Sequence, residues 1–440
     1  MGDGGEVFVP LEVRYSDLVV LSSPSAAASL SRKDLERIEA ISDAVMKALG
    51  PSGPGLLSIA GVPKAPALRS ALLPLARKLA LLGNKERAQV LKIYLMVFRM
   101  VKECDFQDNG LGSDVPLKDP NRSVSSFAAQ LNHPQILHQE PISSVFVDSK
   151  DERNNPHDLL GPQIHELDLL GYIFRELGLC MMELGLRLAR VCDNLIGGRE
   201  LEQSILDART AKGRLIHYHS RLDNFILQNQ NKRSKRSEPW GGSKFLPNEQ
   251  PVCRNNRNRV LDLWQQWHYD YGIFTVLTSP LFLSSRDQEV CFSVASDQEF
   301  PSPDDHTYLR LFDSNHNRIL LVKTSPESFI IQVGEAADIL SKGRLHSTLH
   351  SVARPLETKN LSRETFVVFL QPPWDQVLSY PAYLNDAGEK NSDNIPLVEE
   401  ILRNIPPLSS RLRDGMTFAE FSRETTKQYY GGSGTQSRRQ

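Results

Sequence analysis

Two histidines and an aspartate carry the most specific chemical signal in this sequence. His268 and Asp270 stand two positions apart in Trp267-His268-Tyr269-Asp270-Tyr271-Gly272. On an extended strand, residues i and i+2 share a side. The spacing therefore offers one imidazole and one carboxylate to a common point. His350, on a strand returning past that point, would add a second imidazole. Two histidines and one carboxylate on one face of a metal leave further coordination positions open, as non-haem iron(II) oxygen chemistry requires.

A His-x-Asp tripeptide alone is weak evidence. In a chain with 11 histidines its chance occurrence is roughly an even bet, and the plain alternative is a histidine beside an unrelated aspartate. Context adds weight. The tripeptide stands where a β-rich region begins, followed by Gly272 and a β-branched run. A second stretch, from Val333-Gly334-Glu335 to His346-Ser347-Thr348-Leu349-His350, has matching grammar: strand, turn, polar turn, then a strand that carries a histidine. His346 is the rival distal ligand.

The elements that must position these residues fall into two halves. Ser31 to Leu49 reads as a helix, with Ser31 and Asp34 as a capping box and Leu35, Ile38, Ile41, Val45 and Leu49 as its stripe. Leu56 to Ile59 reads as a short strand. Ala67 to Leu82 and Lys85 to Lys102 read as helices, the first bent or restarted at Pro74. Residues 104 to 160 read mostly as loop. Ile164 to Ile196 is the longest helical stretch, stopped by Gly197-Gly198. Leu215 to His219 then reads as a strand, and residues 228 to 250 as a polar surface insertion. Beyond Val260 short apolar runs alternate with turns at 274–277, 290–294, 308–312, 319–322, 329–333 and 366–370. That rhythm indicates an antiparallel sandwich or barrel. Residues 431–440 read as a loose tail.

The totals set limits. The chain has 440 residues, 40% of them apolar, and a formal charge of -2. This is ample for a large core, and the balanced charge gives no global attraction to nucleic acid or acidic membranes. The five cysteines, Cys104, Cys180, Cys192, Cys253 and Cys291, form no CxxC pair, which suits free thiols in a reducing compartment. The start of the sequence has no apolar signal region, and no stretch is long and apolar enough to span a membrane. The expectation is a cytoplasmic monomer. Lys232-Arg233-Ser234-Lys235-Arg236 is the one feature in favour of a nuclear address, against the plainer reading as a solvated loop.

At this point the residues resemble a known family, the 2-oxoglutarate- and iron(II)-dependent dioxygenases of the plant and isopenicillin N synthase type. The family's first block, His-x-Asp-x-Gly then Thr-x-Leu, is similar to His268-Tyr269-Asp270-Tyr271-Gly272 and Thr275-Val276-Leu277. Its second is similar to Val333-Gly334-Glu335, Leu340-Ser341-Lys342-Gly343 and Ser347-Thr348-Leu349-His350-Ser351-Val352. Its third, Arg-x-Ser before an apolar strand and a proline, is similar to Arg363-Glu364-Thr365 and Phe366 to Pro372. The resemblance is specific across about 160 to 372 and looser at 50 to 100, where Gly55 to Pro63 matches an early strand.

The resemblance implies an α+β chain with a double-stranded β-helix, or jelly-roll, core. Its expected organisation is 1–160 packing on the barrel, 161–213 as long helix and connector, 214–375 as catalytic core with insertions at 228–258 and 284–307, and 376–440 as a C-terminal helical segment and tail. It also implies that His268, Asp270 and His350 hold Fe(II), with 2-oxoglutarate and O2 as co-substrates and ascorbate as an accessory. The expected reaction oxidises a small organic substrate, with release of succinate and CO2. No membrane or nucleic-acid partner is expected.

The far carboxylate of 2-oxoglutarate needs a buried cation, and a guanidinium fork suits it. Arg363 fits, with the Thr365 hydroxyl two residues later on the same strand face; a surface arginine is the plain alternative, and Arg354 a nearby one. Tyr218 matches the tyrosine of the family's Asn-x-Tyr motif, but Ile216 occupies the asparagine position. Trp264, Trp267 and Tyr271 could line a pocket or pack a core. Two other readings follow. One is a catalytically silent relative that binds or scaffolds. The other is an oxidase of the isopenicillin N synthase kind that does without 2-oxoglutarate, against which Arg363 and Thr365 argue.

Overall fold

The computed structural model describes residues 5–23, 31–91, 123–132, 166–235, 263–284, 298–355, 360–379, 401–403 and 405–430. Its strands, in chain order, are β1 (Glu6–Phe8), β2 (Glu12–Arg14), β3 (Leu56–Ala60), β4 (Val124–Asn132), β5 (Thr210–Tyr218), β6 (Leu263–His268), β7 (Phe274–Thr278) and β8 (Leu281–Ser284). There follow β9 (Gln298–Phe300), β10 (Leu309–Asp313), β11 (Arg318–Val322), β12 (Phe329–Val333), β13 (His350–Ala353), β14 (Leu361–Leu370), β15 (Val377–Leu378) and β16 (Met416–Thr417).

Most of these strands build two sheets. The smaller has the order β1-β11-β10-β13-β6, and the larger β2-β3-β12-β7-β14-β5-β4, with β8 also on β14 and β9 on β8. Between them lies one apolar interior. Trp264, Leu309, Leu311, Leu320, Val322 and Val352 enter it from the smaller sheet, and Leu56, Ile216, Tyr218, Leu277, Ile330 and Val367 from the larger. This is the double-stranded β-helix of an α+β chain.

Strand β14 shows how one sequence serves two layers. Successive side chains point to opposite faces. Val367 and Phe369 face the interior with Arg363 and Thr365 in phase. Phe366, Val368 and Leu370 face the helices. A strand buried on both sides reads as a continuous apolar run rather than an alternating one.

The Leu170–Ile196 helix covers the outer side of the larger sheet. Phe174 meets Phe366 edge-on at 4.7 Å. At Gly185 a Cβ would collide with Leu370 Cδ1, so a glycine lets the helix approach the strand closely. On the outer side of the smaller sheet, Phe312, Ile319, Leu321 and Leu349 pack with Ile401 and Ile405.

Several details differ from expectation. The Arg32–Leu49 helix starts as read, with Ser31 accepting from the Asp34 amide. The Ala65–Leu81 helix runs unbroken through Pro74, because Leu72, Leu73, Leu75 and Ala76 around it are all buried and packing outweighs one lost backbone bond. Residues 124–132, read as loop, form β4, paired throughout with β5 from Val124↔Tyr218 to Asn132↔Thr210. Its serines, glutamine and asparagine disguised a strand whose Phe127, Ala129 and Leu131 pack on the helices. The polar turn after Val333 is a short helix, Glu335–Leu340.

The Arg221–Lys235 helix covers the start of the expected 228–250 insertion; its remainder lies outside the described residues. So do the expected strand at 290–294, most of the helix expected at 85–102 beyond 91, and the tail at 431–440. Among the described residues, no helix is long and apolar enough to cross a membrane.

Candidate metal centre

His268 closes β6 and His350 opens β13, and the antiparallel register sets them directly opposite each other. Their rings lie 4.2 Å apart between centroids. Asp270 stands two residues past the end of β6. Its carbonyl accepts from the Glu335 amide at 2.8 Å, and its Oδ2 accepts from the Thr275 hydroxyl at 2.6 Å. His268 Nε2 is 3.6 Å from Asp270 Oδ1, and His350 Nε2 is 3.8 Å from Oδ2. One donor atom from each residue lies within 4.8 Å of the others, and among the described residues this is the one His/Cys/Asp/Glu group so arranged.

Hydrogen bonds assign the tautomers. His268 Nδ1 donates to the Gln266 carbonyl at 2.8 Å and His350 Nδ1 to the Thr348 carbonyl at 3.0 Å. Each ring is thereby turned so that the Nε2 lone pair faces the shared point, the usual arrangement behind a ligating histidine. The Gln265 amide donates to His268 Nε2 at 2.8 Å, a bond that His268 would exchange for a metal on ligation. Donors held at right angles about 2.1 Å from one ion stand about 3 Å apart, and small rotations of these side chains reach that spacing. Burial, then the neighbouring His350, lowers the His268 pKa to about 4. The ring is neutral near pH 7, as a ligand must be. The donor set fits a divalent iron.

Arg363 lies at the deeper end of the interior. It is 2% exposed, and it opposes Tyr218 in register. Its Nε donates to the Thr307 carbonyl at 3.1 Å, and its guanidinium lies 5.1 Å from the centroid of the Tyr218 ring. Arg363 Nη1 is buried with no hydrogen-bond partner. Burial lowers the pKa of this arginine. A buried cation with an unmade donor is costly, and a ligand carboxylate would satisfy it. Thr365 is buried on the same face, with its hydroxyl donating to the Thr278 carbonyl at 3.3 Å. The Tyr218 hydroxyl donates to Gln265 Oε1 at 2.8 Å. Gln265 therefore links the tyrosine to His268. Ile216 opposes Thr365 and presents only apolar surface.

The other candidates are occupied elsewhere. His346 stands outside the donor group, with its amide bonded to the Leu49 carbonyl. Arg354 donates to the His219 carbonyl and lies over Trp264. Trp264 packs in the interior and donates to the same carbonyl. Trp267 joins the cluster outside the smaller sheet, and Tyr271 packs near Phe418. Sequence reasoning missed Gln265, Thr275 and Glu335 as supports. The first two flank the metal tripeptide by three and five positions, and that proximity was the available signal.

No protein-family model and no curated protein matches the chain. Solved structures do. A full-length Neurospora crassa protein, solved with α-KG and 5-formyluracil, is 12% identical and covers 97% of this chain and 99% of its own, at a TM-score of 0.44. A 2OG-Fe(II) oxygenase family protein from Caulobacter crescentus is 14% identical over 95% and 97%, at 0.46. A rice dioxygenase for auxin oxidation is 16% identical over 93% and 98%, at 0.45.

Proposed function

We propose that this chain is an Fe(II)- and 2-oxoglutarate-dependent oxygenase acting on a small organic substrate, with His268, Asp270 and His350 as iron ligands. The observation that carries the reading is the convergence of two oriented imidazoles and one carboxylate beside a barrel whose deep end holds an arginine with one unmade donor, Nη1. When bound, iron and 2-oxoglutarate supply oxidative decarboxylation by O2, giving succinate, CO2 and the power to oxidise a C–H bond.

The chain's own residues bind and orient. The Gln266 and Thr348 carbonyls hold the two imidazoles in one tautomer. Thr275 holds one oxygen of Asp270, leaving Oδ1 toward His268. Arg363 offers its fork to the distal carboxylate of 2-oxoglutarate, flanked by Tyr218 and Thr365. The apolar wall of Ile216, Leu277, Leu311 and Val367 excludes water from the reacting end. Free thiols at Cys180 and Cys192 support a reducing, cytoplasmic setting.

Ile216 favours a second reading, a catalytically silent relative, because it withholds the polar contact that the family's asparagine provides. Purified protein with Fe(II), ascorbate and labelled 2-oxoglutarate separates the two. Succinate formation that disappears in His268→Ala supports the oxygenase. Iron binding without succinate supports the silent binder.

A further inference from the structure

Gln332 carries a buried amide that the described residues leave unmatched. Its neighbours along β12 settle its direction. Ile330 belongs to the interior cluster, while Phe329, Ile331 and Val333 pack on the helices. Successive side chains alternate, so Gln332 points inward with Ile330. It is 1% exposed, and among the described residues neither its Oε1 nor its Nε2 has a hydrogen-bond partner. A glutamine amide brings two donor hydrogens and an acceptor oxygen, and burying them unmatched is costly. Packing alone would favour an apolar side chain of the same shape.

The register places this amide beside the metal turn. Gln332 pairs with Thr275 of β7 on one side and Leu56 of β3 on the other, and Thr275 pairs with Phe369 of β14. The Thr275 hydroxyl donates to Asp270 Oδ2, and directly paired side chains lie about 4.5–5.5 Å apart at Cβ. Gln332 is thus one side chain removed from a metal donor. Arg363 and Tyr218 stand on β14 and β5, beyond β7 in the sheet order. The amide and the deep arginine therefore occupy different parts of the wall. Leu56 and Phe369 flank the layer with apolar surface. Such a wall suits a flat apolar body with one polar edge. Both atoms of the amide are matched by an edge that sets N–H beside C=O, the cis amide of a lactam or imide. A carboxylate would satisfy Nε2 alone and set its charge against Oε1.

We propose that Gln332 is a specificity-determining residue that holds the substrate by paired hydrogen bonds, and that the substrates are small cyclic amides. Nε2 donates to the substrate carbonyl, and Oε1 accepts from the neighbouring N–H. The inference rests on the oxygenase reading for its reaction, but not for its binding test.

Calorimetry on the full chain, loaded anaerobically with Fe(II) and 2-oxoglutarate, compares valerolactam, glutarimide and isoindolinone with their N-methyl forms. At least one N–H compound should bind roughly ten- to hundredfold tighter than its N-methyl form, since methylation leaves a buried Oε1 unmatched. In Gln332→Met that preference should fall to about twofold or less. Thermal unfolding of the unliganded proteins adds a readout that a structural amide would move the other way. Gln332→Met should melt at or above the wild-type temperature, because no hydrogen bond is lost and two buried polar atoms are removed. If Gln332→Met does not fold, Gln332→Leu is read in its place. The proposal is overturned by no probe bound, by no N–H preference in the wild type, or by a preference kept in the variant. A variant that melts lower, or failure of both to fold, also overturns it and makes the amide a support of the fold. Succinate from labelled 2-oxoglutarate is measured on the same protein. Its absence with the preference intact sinks the oxygenase reading and leaves the amide site; its formation without the preference does the reverse.

Discussion

Arg411 donates from both terminal nitrogens to the Glu335 carboxylate, at 2.7 and 2.5 Å, with side chains 1% and 5% exposed. The backbone amide of the same glutamate holds the Asp270 carbonyl. The Arg411 guanidinium also lies near the rings of Phe421 and Tyr429, and the Tyr429 hydroxyl accepts from the Tyr269 amide at 3.3 Å. The C-terminal segment thus grips the metal turn from two sides.

Breaking that pair leaves a buried carboxylate alone. Arg411→Met is expected to cost about 3–5 kcal/mol of stability and to weaken metal binding. Adding Glu335→Gln to it should recover part of the loss, since the stranded charge is removed. Denaturant titration of the single and double variants checks this. A single-variant cost below about 1 kcal/mol would mark the pair as inert.

Metal binding to the folded state should raise the thermal midpoint. At a hundredfold excess over Kd the gain is about 2.7 kcal/mol, and a chelator should reverse it. His350→Ala and Asp270→Ala should each lose the metal-dependent shift. A full shift in either variant would place the ion elsewhere.

Arg363→Gln should raise the 2-oxoglutarate requirement roughly ten- to hundredfold, the loss of a charge-assisted contact. Arg363→Lys should rescue little, because a point charge does not replace a bidentate fork. Steady-state succinate formation against 2-oxoglutarate concentration measures it. An unchanged KM in both variants contradicts the assignment.

Behind the barrel a buried network opposes burial with charge. Asp223 is reached by Arg77 at 2.8 Å and by His217 Nε2 at 3.5 Å, and it accepts from the Ser220 amide and hydroxyl. Desolvation pushes its pKa up, but His217, Arg77 and the Ser220 bonds outweigh it, and the net shift is downward. The unfolded chain then takes up the proton first. The resulting stability is complete above the ordinary aspartate range and is lost as pH falls through the depressed folded value. The stability gap between wild type and Asp223→Asn should therefore be widest near neutrality and narrow in acid. A gap constant from about pH 7 to pH 3 would contradict it.

Gly185→Ala pits two effects against each other. Alanine favours the helix by about 1 kcal/mol, while the added methyl runs into buried Leu370 Cδ1. Overpacking costs about 1–3 kcal/mol, so a lower melting temperature is expected. A higher one would show that Leu370 has room to turn.

The grouping of His268, Asp270 and His350 was legible because its signal is local: a two-residue spacing, and a histidine in a strand context. The shared strand face of Arg363 and Thr365 was legible for the same reason. The apolar runs of β7, β10, β11, β12 and β14 gave the barrel. What stayed hidden depends on partners remote in sequence. Arg411 meets Glu335 from 76 positions away, and the C-terminal clamp has no spacing rule. Strand β4 was masked by its polar inner face, where Ser126, Gln130 and Asn132 alternate with the residues that pack on the helices.

The central claim is that His268, Asp270 and His350 share one iron. Anomalous diffraction at the iron edge, from crystals of the full chain grown anaerobically with Fe(II), tests it most directly. The expected result is a single strong peak about 2.0–2.2 Å from His268 Nε2, His350 Nε2 and an Asp270 oxygen. A peak at other residues, or none at this turn under saturating iron, would contradict it.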